Sequence, residues 1–281
     1  MDGECLGDTI AFFPFFDQYR HKHNVELVVA TAWNCLFDAS YPDIEFIPQG
    51  ATPLRIDEVI SMKVELGLKR GLNYQRMAAE QLGLEYVEVR PRISTKIQGN
   101  IFERKYVTIA TQSTAQCKYW NYPNGWEQVI EWLQFKGYDV IDIDRDPLFG
   151  SNGVWNRIPP NARDVTGNMP IEYRVNQIMN GEFHLGLSSG LSWLAWALHK
   201  KVLMVSGHSG PHCEFQEDNY RVFNTDVCND CWSDPRVAWD PHNWIWCPRH
   251  EGTVRHFECT IQITPKMVMD KIEDLIEDLR T

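Results

Sequence analysis

The chain has 281 residues, 43% of them hydrophobic and 12% aromatic, which excludes an intrinsically disordered protein and predicts one or two globular domains. The formal net charge of −11 argues against nucleic-acid binding and against an anionic membrane surface, because both need a basic patch. The sequence has no apolar run that could insert into a membrane, and its first residues lack the features of a signal peptide, so we expect a cytoplasmic protein.

Strand and helix patterns alternate through the first hundred residues. Residues 25–30 and 44–47 have the short apolar runs of strands, and residues 74–82 have a helical pattern that a glycine ends. This alternation is typical of an α/β domain. We therefore assign residues 1–100 to a first domain.

Asp8 follows a glycine directly before the apolar and aromatic run at 10–16. The run predicts a helix, and an aspartate just before a helix has two interpretations. It can be a helix N-cap, which is the commoner role, or it can be a catalytic base.

The second half of the chain repeats the strand–helix pattern. Residues 106–110 predict a strand that leads into a polar turn containing Lys118, and a helix at 126–135 follows. A strand comes next at 140–143. Residues 145–168 are rich in Gly, Pro and Asn, so we predict a long loop there.

The stretch at 183–206 predicts the unit around which the rest is organised. An apolar strand at 183–187 leads through a turn of glycine and serine into a helix, and a β-branched strand follows at 202–205. A strand–helix–strand unit implies a parallel sheet. The turn at 188–190 lies at the helix N-terminus, where unpaired N–H groups and the helix dipole favour a phosphate. The alternative is an ordinary crossover whose serine caps the helix.

Polar loops follow the C-terminal ends of the predicted strands in this second half. In open α/β sheets ligands bind at that edge. Thr114, Lys118 and Thr166 lie in such loops, as does the turn at 188–190. Lys118 could still be an ordinary surface lysine, although the surrounding hydroxyl groups favour a ligand site.

Four cysteines in the irregular segment 207–260 have metal-ligand spacing. Cys228 and Cys231 form a CxxC pair, and Cys247 and Cys259 follow at longer spacings. Four thiolates close a tetrahedral shell around zinc or a single iron, which predicts a structural metal ion and no catalytic divalent metal. A redox CxxC and buried free cysteines are the alternatives. We expect free thiols at Cys5, Cys35, Cys117 and Cys213.

Five segments of the chain resemble one family of enzymes. They are LGDTIAFFPF at 6–15, TQSTAQCKYWN at 111–121, DVTGNMP at 164–170, GLSSGLSWLAWAL at 186–198 and CNDCW…WCPR…FECT at 228–260. Together they are similar to the bacterial autotransporter heptosyltransferases, which are glycosyltransferases with a GT-B fold. The combination of the glycine–helix unit with the cysteine segment makes the resemblance specific.

The resemblance implies two Rossmann-like parallel-sheet domains and a cysteine-rich metal finger. The domain at 1–100 would face the acceptor, and the domain at 101–281 would bind the nucleotide-sugar. The second domain would include the finger at 207–260 and a terminal helix at 264–280. Only seven residues precede Asp8, so we expect the usual first strand and the N-terminal acceptor-recognition region to be missing.

The resemblance also implies an inverting transfer of heptose from ADP-heptose to a hydroxyl group, with a Ser or Thr of a protein as acceptor. Asp8 matches the family's catalytic aspartate, which would act as the general base. Lys118 matches the lysine that holds the donor diphosphate, and the finger matches an iron-binding element associated with homo-oligomers. The other implied donor-binding residues are Ser113, Thr114, Thr166, Gly167, Ser188, Ser189 and Gly190.

Two further interpretations compete with a heptosyltransferase. The first is a binding or scaffold protein that has kept the fold and the metal but has lost the chemistry. The second is a nucleotide-sugar epimerase of similar fold. Asp8 and Lys118 argue against a scaffold, which has no reason to hold both residues in their motif positions.

Overall fold

The chain is described by a computed structural model that covers residues 5–53, 55–64, 70–94, 99 and 102–280. The helices in these ranges are α1 (Leu6–His23), α2 (Tyr74–Gln81), α3 (Gly125–Phe135), α4 (Ile171–Asn180), α5 (Gly190–Ala197), α6 (Glu258–Ile261) and α7 (Pro265–Asp278). The strands are β1 (Leu27–Ala30), β2 (Ile44–Ile47), β3 (Tyr106–Ile109), β4 (Asp139–Asp142), β5 (Leu148–Ser151), β6 (Val154–Arg157), β7 (Arg163–Asp164), β8 (His184–Leu187), β9 (Val202–Val205) and β10 (Asn219–Val222).

A six-stranded sheet in the order β10-β9-β8-β3-β4-β7 forms the centre of the second half. All of its neighbouring strands are parallel, so their C-terminal ends lie at one edge, as the alternating pattern predicts. Fully buried strands such as β3, β8 and β9 form near-continuous apolar runs because helices cover both faces. The α/β parallel-sheet fold is confirmed.

The strand–helix–strand unit is confirmed as β8, α5 and β9. Strands β8 and β9 pair in parallel from His184–Val202 to Leu187–Val205. Helix α5 is apolar around its whole circumference because it is buried between the sheet and α1. The Ser192 hydroxyl donates to the Leu187 carbonyl at 2.7 Å, which ties the first turn of the helix to the strand before it.

Helix α1 begins at Leu6, so Asp8 lies within its first turn and not in a loop before it. The phenylalanines at positions 12, 13, 15 and 16 are buried, and the ring of Phe13 stacks on Phe37. One apolar cluster runs from this helix through α2 to Trp196 on α5. The two halves of the chain therefore share packed surface, and the boundary at residue 100 remains a prediction.

Strands β1 and β2 form a separate two-stranded parallel sheet, with Leu27 opposite Ile44 and Ala30 opposite Ile47. These are the strands that the patterns at 25–30 and 44–47 predict.

The segment at 145–168 is not a long loop, which corrects that prediction. It contains the antiparallel hairpin β5–β6 and the short strand β7, which joins the edge of the main sheet. Asn152 and Gly153 form the hairpin turn with positive φ angles of 53° and 82°. An Asn-Gly pair between short strands is a strong hairpin signal because both residues tolerate this conformation. The high content of Gly, Pro and Asn across 145–168 favoured a loop prediction over this local hairpin signal.

The C-terminal part of the chain closes the second half. Beyond β10 the backbone is irregular until α6, as the composition of 207–260 predicts. Thr264 caps helix α7 by accepting a bond from the Met267 N–H, and Pro265 opens the helix. The apolar stripe of α7 packs on β9, β10 and α3, so it belongs to the core. In the described ranges no helix combines the length and apolarity needed to cross a membrane.

Candidate functional site

The N-terminal ends of α1 and α5 meet at two glycines. A Cβ added at Gly190 would lie 2.9 Å from the Leu6 Cβ and 3.1 Å from the Gly7 nitrogen. A Cβ at Gly7 would lie 3.3 Å from the Gly190 Cα. Because neither position carries a side chain, the two helices approach closely enough to bring Asp8 beside the turn at 188–190.

Asp8 is not the helix N-cap, because Cys5 takes that position and the carboxylate belongs to the first turn. Burial raises the pKa of Asp8, while the Lys118 ammonium and a hydrogen bond from Cys5 lower it. The Tyr74 hydroxyl is close as well, since burial and then the Asp8 charge raise its pKa well above the usual value. A half-buried carboxylate whose pKa is raised by burial and lowered by a lysine charge has the character of a catalytic acid or base.

Lys118 ends a short turn, Gln116–Lys118, that follows β3. Its side chain is half-buried and lies close enough to Asp8 for the two charges to interact. Ser113 is half-buried in the same loop and its carbonyl accepts a bond from the Tyr119 hydroxyl at 3.2 Å. Thr114 is exposed. The loop therefore presents Lys118 toward α1 and Thr114 toward solvent.

A buried network anchors the start of this loop. The Asp144 carboxylate accepts bonds from the backbone N–H of Thr111 at 2.6 Å and of Gln112 at 3.1 Å. The Thr111 hydroxyl bonds the side chains of Asp142 and Asp144 at 3.2 and 3.1 Å. Burial raises the pKa of both aspartates. These bonds fix the direction in which the chain leaves β3.

The serines after β8 do not cap α5 with their side chains. Ser189 precedes the helix without a side-chain cap bond, and the Ser188 hydroxyl instead donates to Glu214. The crossover from β8 to α5 therefore differs from the ordinary one, in which a serine side chain caps the helix. The first-turn N–H groups of α5 remain available to an anion at the C-terminal edge of the sheet.

Glu214 is a site residue that sequence reasoning missed. It is fully buried, accepts a bond from Ser209 at 3.1 Å and pairs with Arg221 at 2.7 Å. Its backbone carbonyl accepts a bond from Asn73 at 2.8 Å, which connects it to the first half of the chain. The signal was the turn SGHSG at 206–210, which follows β9 as the turn SSG at 188–190 follows β8.

His208 belongs to the same missed turn. It is 3% exposed, and its Nδ1 atom has no hydrogen-bond partner within the described ranges. Burial lowers its pKa well below the usual value, and the positive charges of Lys118 and Arg221 lower it further. The imidazole is therefore neutral beside the lysine, with a buried polar atom left unpaired.

Thr166 and Gly167 follow β7 at the same edge of the sheet, with β4 between them and β3. The Thr166 hydroxyl donates to Asp164 at 2.7 Å. Gly167 has a φ of 138°, and its carbonyl accepts a bond from Arg174 at 2.8 Å. Arg174 also donates to the Asp144 carbonyl at 3.1 Å, so it ties this turn to the anchor of the Lys118 loop. The structure thus brings Asp8, Lys118 and the turn at 188–190 together, and holds Thr166 and Gly167 in a neighbouring loop.

The four cysteines of the predicted finger lie in one region. Burial is the first cause of the raised pKa of Cys231, Cys247 and Cys259, and charge on neighbouring cysteines raises each further. Within the described ranges, Cys228 has a ligand atom within 4.8 Å of His250 and Glu258, whereas the four cysteines as a set do not form such a group. Cys231 and Cys247 are buried and Cys228 and Cys259 are half-buried. Thiolates are donors suited to zinc or iron, so the chemistry of the four side chains fits a structural metal.

None of the eight cysteines forms a disulfide with another described residue, including the four outside the finger. Cys5 and Cys35 are exposed, whereas Cys117 and Cys213 are buried.

Comparison with known proteins identifies relatives over almost the whole chain. No protein-family model matches. The autotransporter heptosyltransferase TibC of Escherichia coli O78:H11 is 38% identical over 286 residues, which cover 98% of this chain and 70% of TibC. Aah of Escherichia coli is 39% identical, with 96% of this chain and 71% of Aah covered. BimC of Burkholderia thailandensis, an inactive autotransporter heptosyltransferase, is 28% identical, with 98% and 67% covered.

Solved structures give the same result. The crystal structure of TibC, an iron-containing dodecameric glycosyltransferase, matches with a TM-score of 0.92 at 37% identity and covers 98% of this chain and 74% of that one. TibC in complex with ADP-D-β-D-heptose matches with a TM-score of 0.91, also at 37% identity, over 97% and 74% of the two chains. Escherichia coli ADP-heptose LPS heptosyltransferase II shares the fold alone, with a TM-score of 0.62 at 13% identity over 99% and 98%. On the identity and coverage shared with TibC and Aah, this chain belongs to the autotransporter heptosyltransferase family of glycosyltransferases.

Proposed function

We propose that this chain transfers heptose from ADP-heptose, with inversion, to a Ser or Thr hydroxyl of a protein acceptor. Family membership supports the reaction class, and the complex of the relative TibC with ADP-D-β-D-heptose supports the donor. The observation that carries the proposal is that the charge of Lys118 acts on Asp8 beside the close approach of Gly7 and Gly190. That arrangement provides a half-buried base and a cation near one helix crossing.

Asp8 would accept the proton of the acceptor hydroxyl as its oxygen bonds to the anomeric carbon. The bond from that carbon to the ADP oxygen breaks at the same time, on the opposite face, and ADP leaves with the electron pair. The raised pKa of Asp8 suits this role because a stronger base takes the proton more readily.

Lys118 and the N–H groups of Ser189 and Gly190 would stabilise the diphosphate as negative charge develops on it. Ser188 would be held in position for the donor by Glu214, which accepts a hydrogen bond from its hydroxyl. Ser113 and Thr114 would contact the donor from the Lys118 loop, and the turn of Thr166 and Gly167 would face the base or ribose. In this mechanism no divalent metal takes part in the transfer.

The cysteine finger would hold one structural ion, iron as in the relative TibC or zinc, through Cys228, Cys231, Cys247 and Cys259. Its contribution would be to fold residues 207–260, without a role in bond making. A homo-oligomer is proposed on the same basis, since TibC is dodecameric. The cytoplasmic location and the two domains remain predictions from the sequence.

The test is incubation of the purified protein with ADP-heptose and candidate acceptor proteins, with measurement of ADP release and of the mass added to the acceptor. Asp8→Asn should keep donor binding and reduce transfer by roughly 10²- to 10⁴-fold. Asp43→Asn, at an exposed aspartate away from the site, is the matched control and should transfer normally. Normal transfer by Asp8→Asn would remove Asp8 from the mechanism.

A scaffold that has lost its chemistry is the second candidate, and the inactive relative BimC is the observation in its favour. It predicts that the wild-type protein binds an acceptor without releasing ADP. The two candidates separate in the same assay, because only the enzyme adds the mass of a heptose to the acceptor.

A further inference from the structure

Outside the four-cysteine finger, three side chains of different ligand types converge beside the turn after β9. His212, Cys213 and Asp230 each place a ligand atom within 4.8 Å of the other two. Cys213 is fully buried, Asp230 is half-buried and His212 is exposed, so the group opens to solvent on one side. An imidazole nitrogen, a thiolate and a carboxylate form a donor set typical of zinc with one open position.

Gly210 lies against two of these three groups and places no side chain between them. A Cβ at Gly210 would lie 2.8 Å from the Nδ1 of His212 and 2.8 Å from the Oδ2 of Asp230. Both atoms therefore face the same bare stretch of backbone. Any larger residue at this position would fill the gap between them.

Hydrogen bonds outside the group orient its ligands. The Oδ1 of Asp230 accepts bonds from the Gly210 N–H at 2.6 Å and from the Ser233 hydroxyl at 2.7 Å, which leaves Oδ2 toward the gap. The Nε2 of His212 lies 3.2 Å from the Ser233 oxygen, so an Nε2–H donor makes Nδ1 the free lone pair. Partners of this kind commonly fix the tautomer and direction of metal ligands. Ser233 also packs closely against Gly71, where an added Cβ would lie 2.9 Å from the Ser233 Cβ.

We propose that His212, Cys213 and Asp230 form a second metal site, separate from the finger, that binds Zn²⁺ with water as the fourth ligand. Binding releases the Cys213 thiol proton to solvent and leaves the Nε2–H of His212 in place. The ion connects the turn after β9 to the CxxC segment that contains Asp230. Since Glu214 follows Cys213 directly, the same ion holds the residue that bonds Ser188.

The experiment loads the full-length protein with Zn²⁺, removes free metal and counts bound ions per chain by elemental analysis. We expect about two ions in the wild type and about one in His212→Ala and in Cys213→Ser, because the finger keeps its own ion. Gly210→Ala should also hold about one, since its Cβ fills the gap. His242→Ala removes an exposed histidine of the same segment that is not in the group, and should keep about two.

Substitution with Co²⁺ gives a second readout that does not depend on catalysis. The wild type should show a sulfur-to-cobalt charge-transfer band that is reduced in Cys213→Ser and unchanged in His242→Ala. If the wild type binds a single ion that His212→Ala retains, the second site does not exist. A single ion lost equally in Cys213→Ser and Cys231→Ser would mean one shared site, which also overturns the proposal. These results do not depend on ADP release, so the proposed transfer reaction can fail or succeed independently.

Discussion

At the residue scale, Asp8 and Lys118 show why a local pattern alone left their roles open. An aspartate before a helix is more often a cap, and a lysine in a loop is more often solvated. Here burial keeps Asp8 protonated to higher pH than in water, and Lys118 opposes that effect from 110 residues away in the sequence. The roles of Asp8 and Lys118 therefore depend on their burial and on each other's charge, and not on the local sequence around either residue.

The stability of the protein should depend on pH through Asp8. Its folded pKa lies above the unfolded value of 3.8, so between the two values the folded state binds more protons than the unfolded state. Its contribution to stability is therefore full below about pH 3.8 and is lost as the pH rises through the folded pKa. Asp8→Asn, which stays neutral, should be more resistant to urea than the wild type at neutral pH.

That difference should shrink as the pH approaches about 4, where Asp8 itself becomes neutral. Urea titrations at both pH values measure it, with Asp43→Asn as a control at an exposed position. An Asp8→Asn variant that is less stable than the wild type at neutral pH would mean that attraction to Lys118 outweighs burial.

Lys118→Ala should weaken binding of ADP-heptose by roughly 10- to 100-fold, the value of a hydrogen bond to a charged phosphate. Isothermal titration calorimetry measures the affinity directly. The matched control is Lys136→Ala directly after α3, where the lysine pairs with Glu273 at 3.1 Å on the surface. Equal affinities of the two variants for the donor would contradict a diphosphate contact at Lys118.

At the scale of elements, the crossing of α1 and α5 determines the geometry of the candidate site. Two glycines in contact let the helix ends approach, and the same approach positions Asp8 beside the 188–190 turn. The second strand-exit turn, at 206–210, completes the site with His208 and Ser209. The loops after β3, β8 and β9 must therefore all leave the sheet in fixed directions to form the candidate site.

Gly190→Ala should separate these helix ends. The added Cβ would lie 3.1 Å from the Gly7 backbone nitrogen, which cannot move aside as a side chain can. We expect a loss of about 1–3 kcal/mol in the free energy of unfolding, together with weaker donor binding. Gly99→Ala is the control, since no atom of the described residues lies within 4 Å of a Cβ there. Wild-type stability and affinity in Gly190→Ala would show that the close approach is not required.

At the scale of the whole molecule, the irregular segment 207–260 depends on features other than regular structure. Its backbone has little secondary structure, yet it carries buried cysteines and aromatic side chains against the second half of the chain. Arg70 from the first half donates to the carbonyls of Asp234 at 2.6 Å and Val237 at 2.7 Å, so the segment also connects to the first half of the chain. Loss of order in this segment should therefore lower the stability of both halves of the chain.

Cys247→Ser should lower metal content, thermal stability and oligomeric order together. Removing one sulfur opens the proposed four-sulfur shell, and we expect the melting temperature to fall by roughly 5 °C or more. Elemental analysis, thermal unfolding and light scattering measure the three effects. Cys35→Ser, at an exposed free cysteine, should change none of them. Full metal content and stability in Cys247→Ser would exclude this residue as a ligand.

The sequence by itself determined the α/β class, the parallel strand–helix–strand unit, the terminal helix and the family, because periodicity and motif spacing are local properties. It also contained the Asn152–Gly153 hairpin signal, which the composition of its surroundings obscured. Only the tertiary structure decided that Gly7 contacts Gly190, that Glu214 receives Ser188 and Arg221, and that neither Asp8 nor Ser189 caps a helix with its side chain. Those contacts join residues far apart in the chain, and their geometry follows from how buried helices and strand-exit loops pack, which no short stretch of sequence encodes.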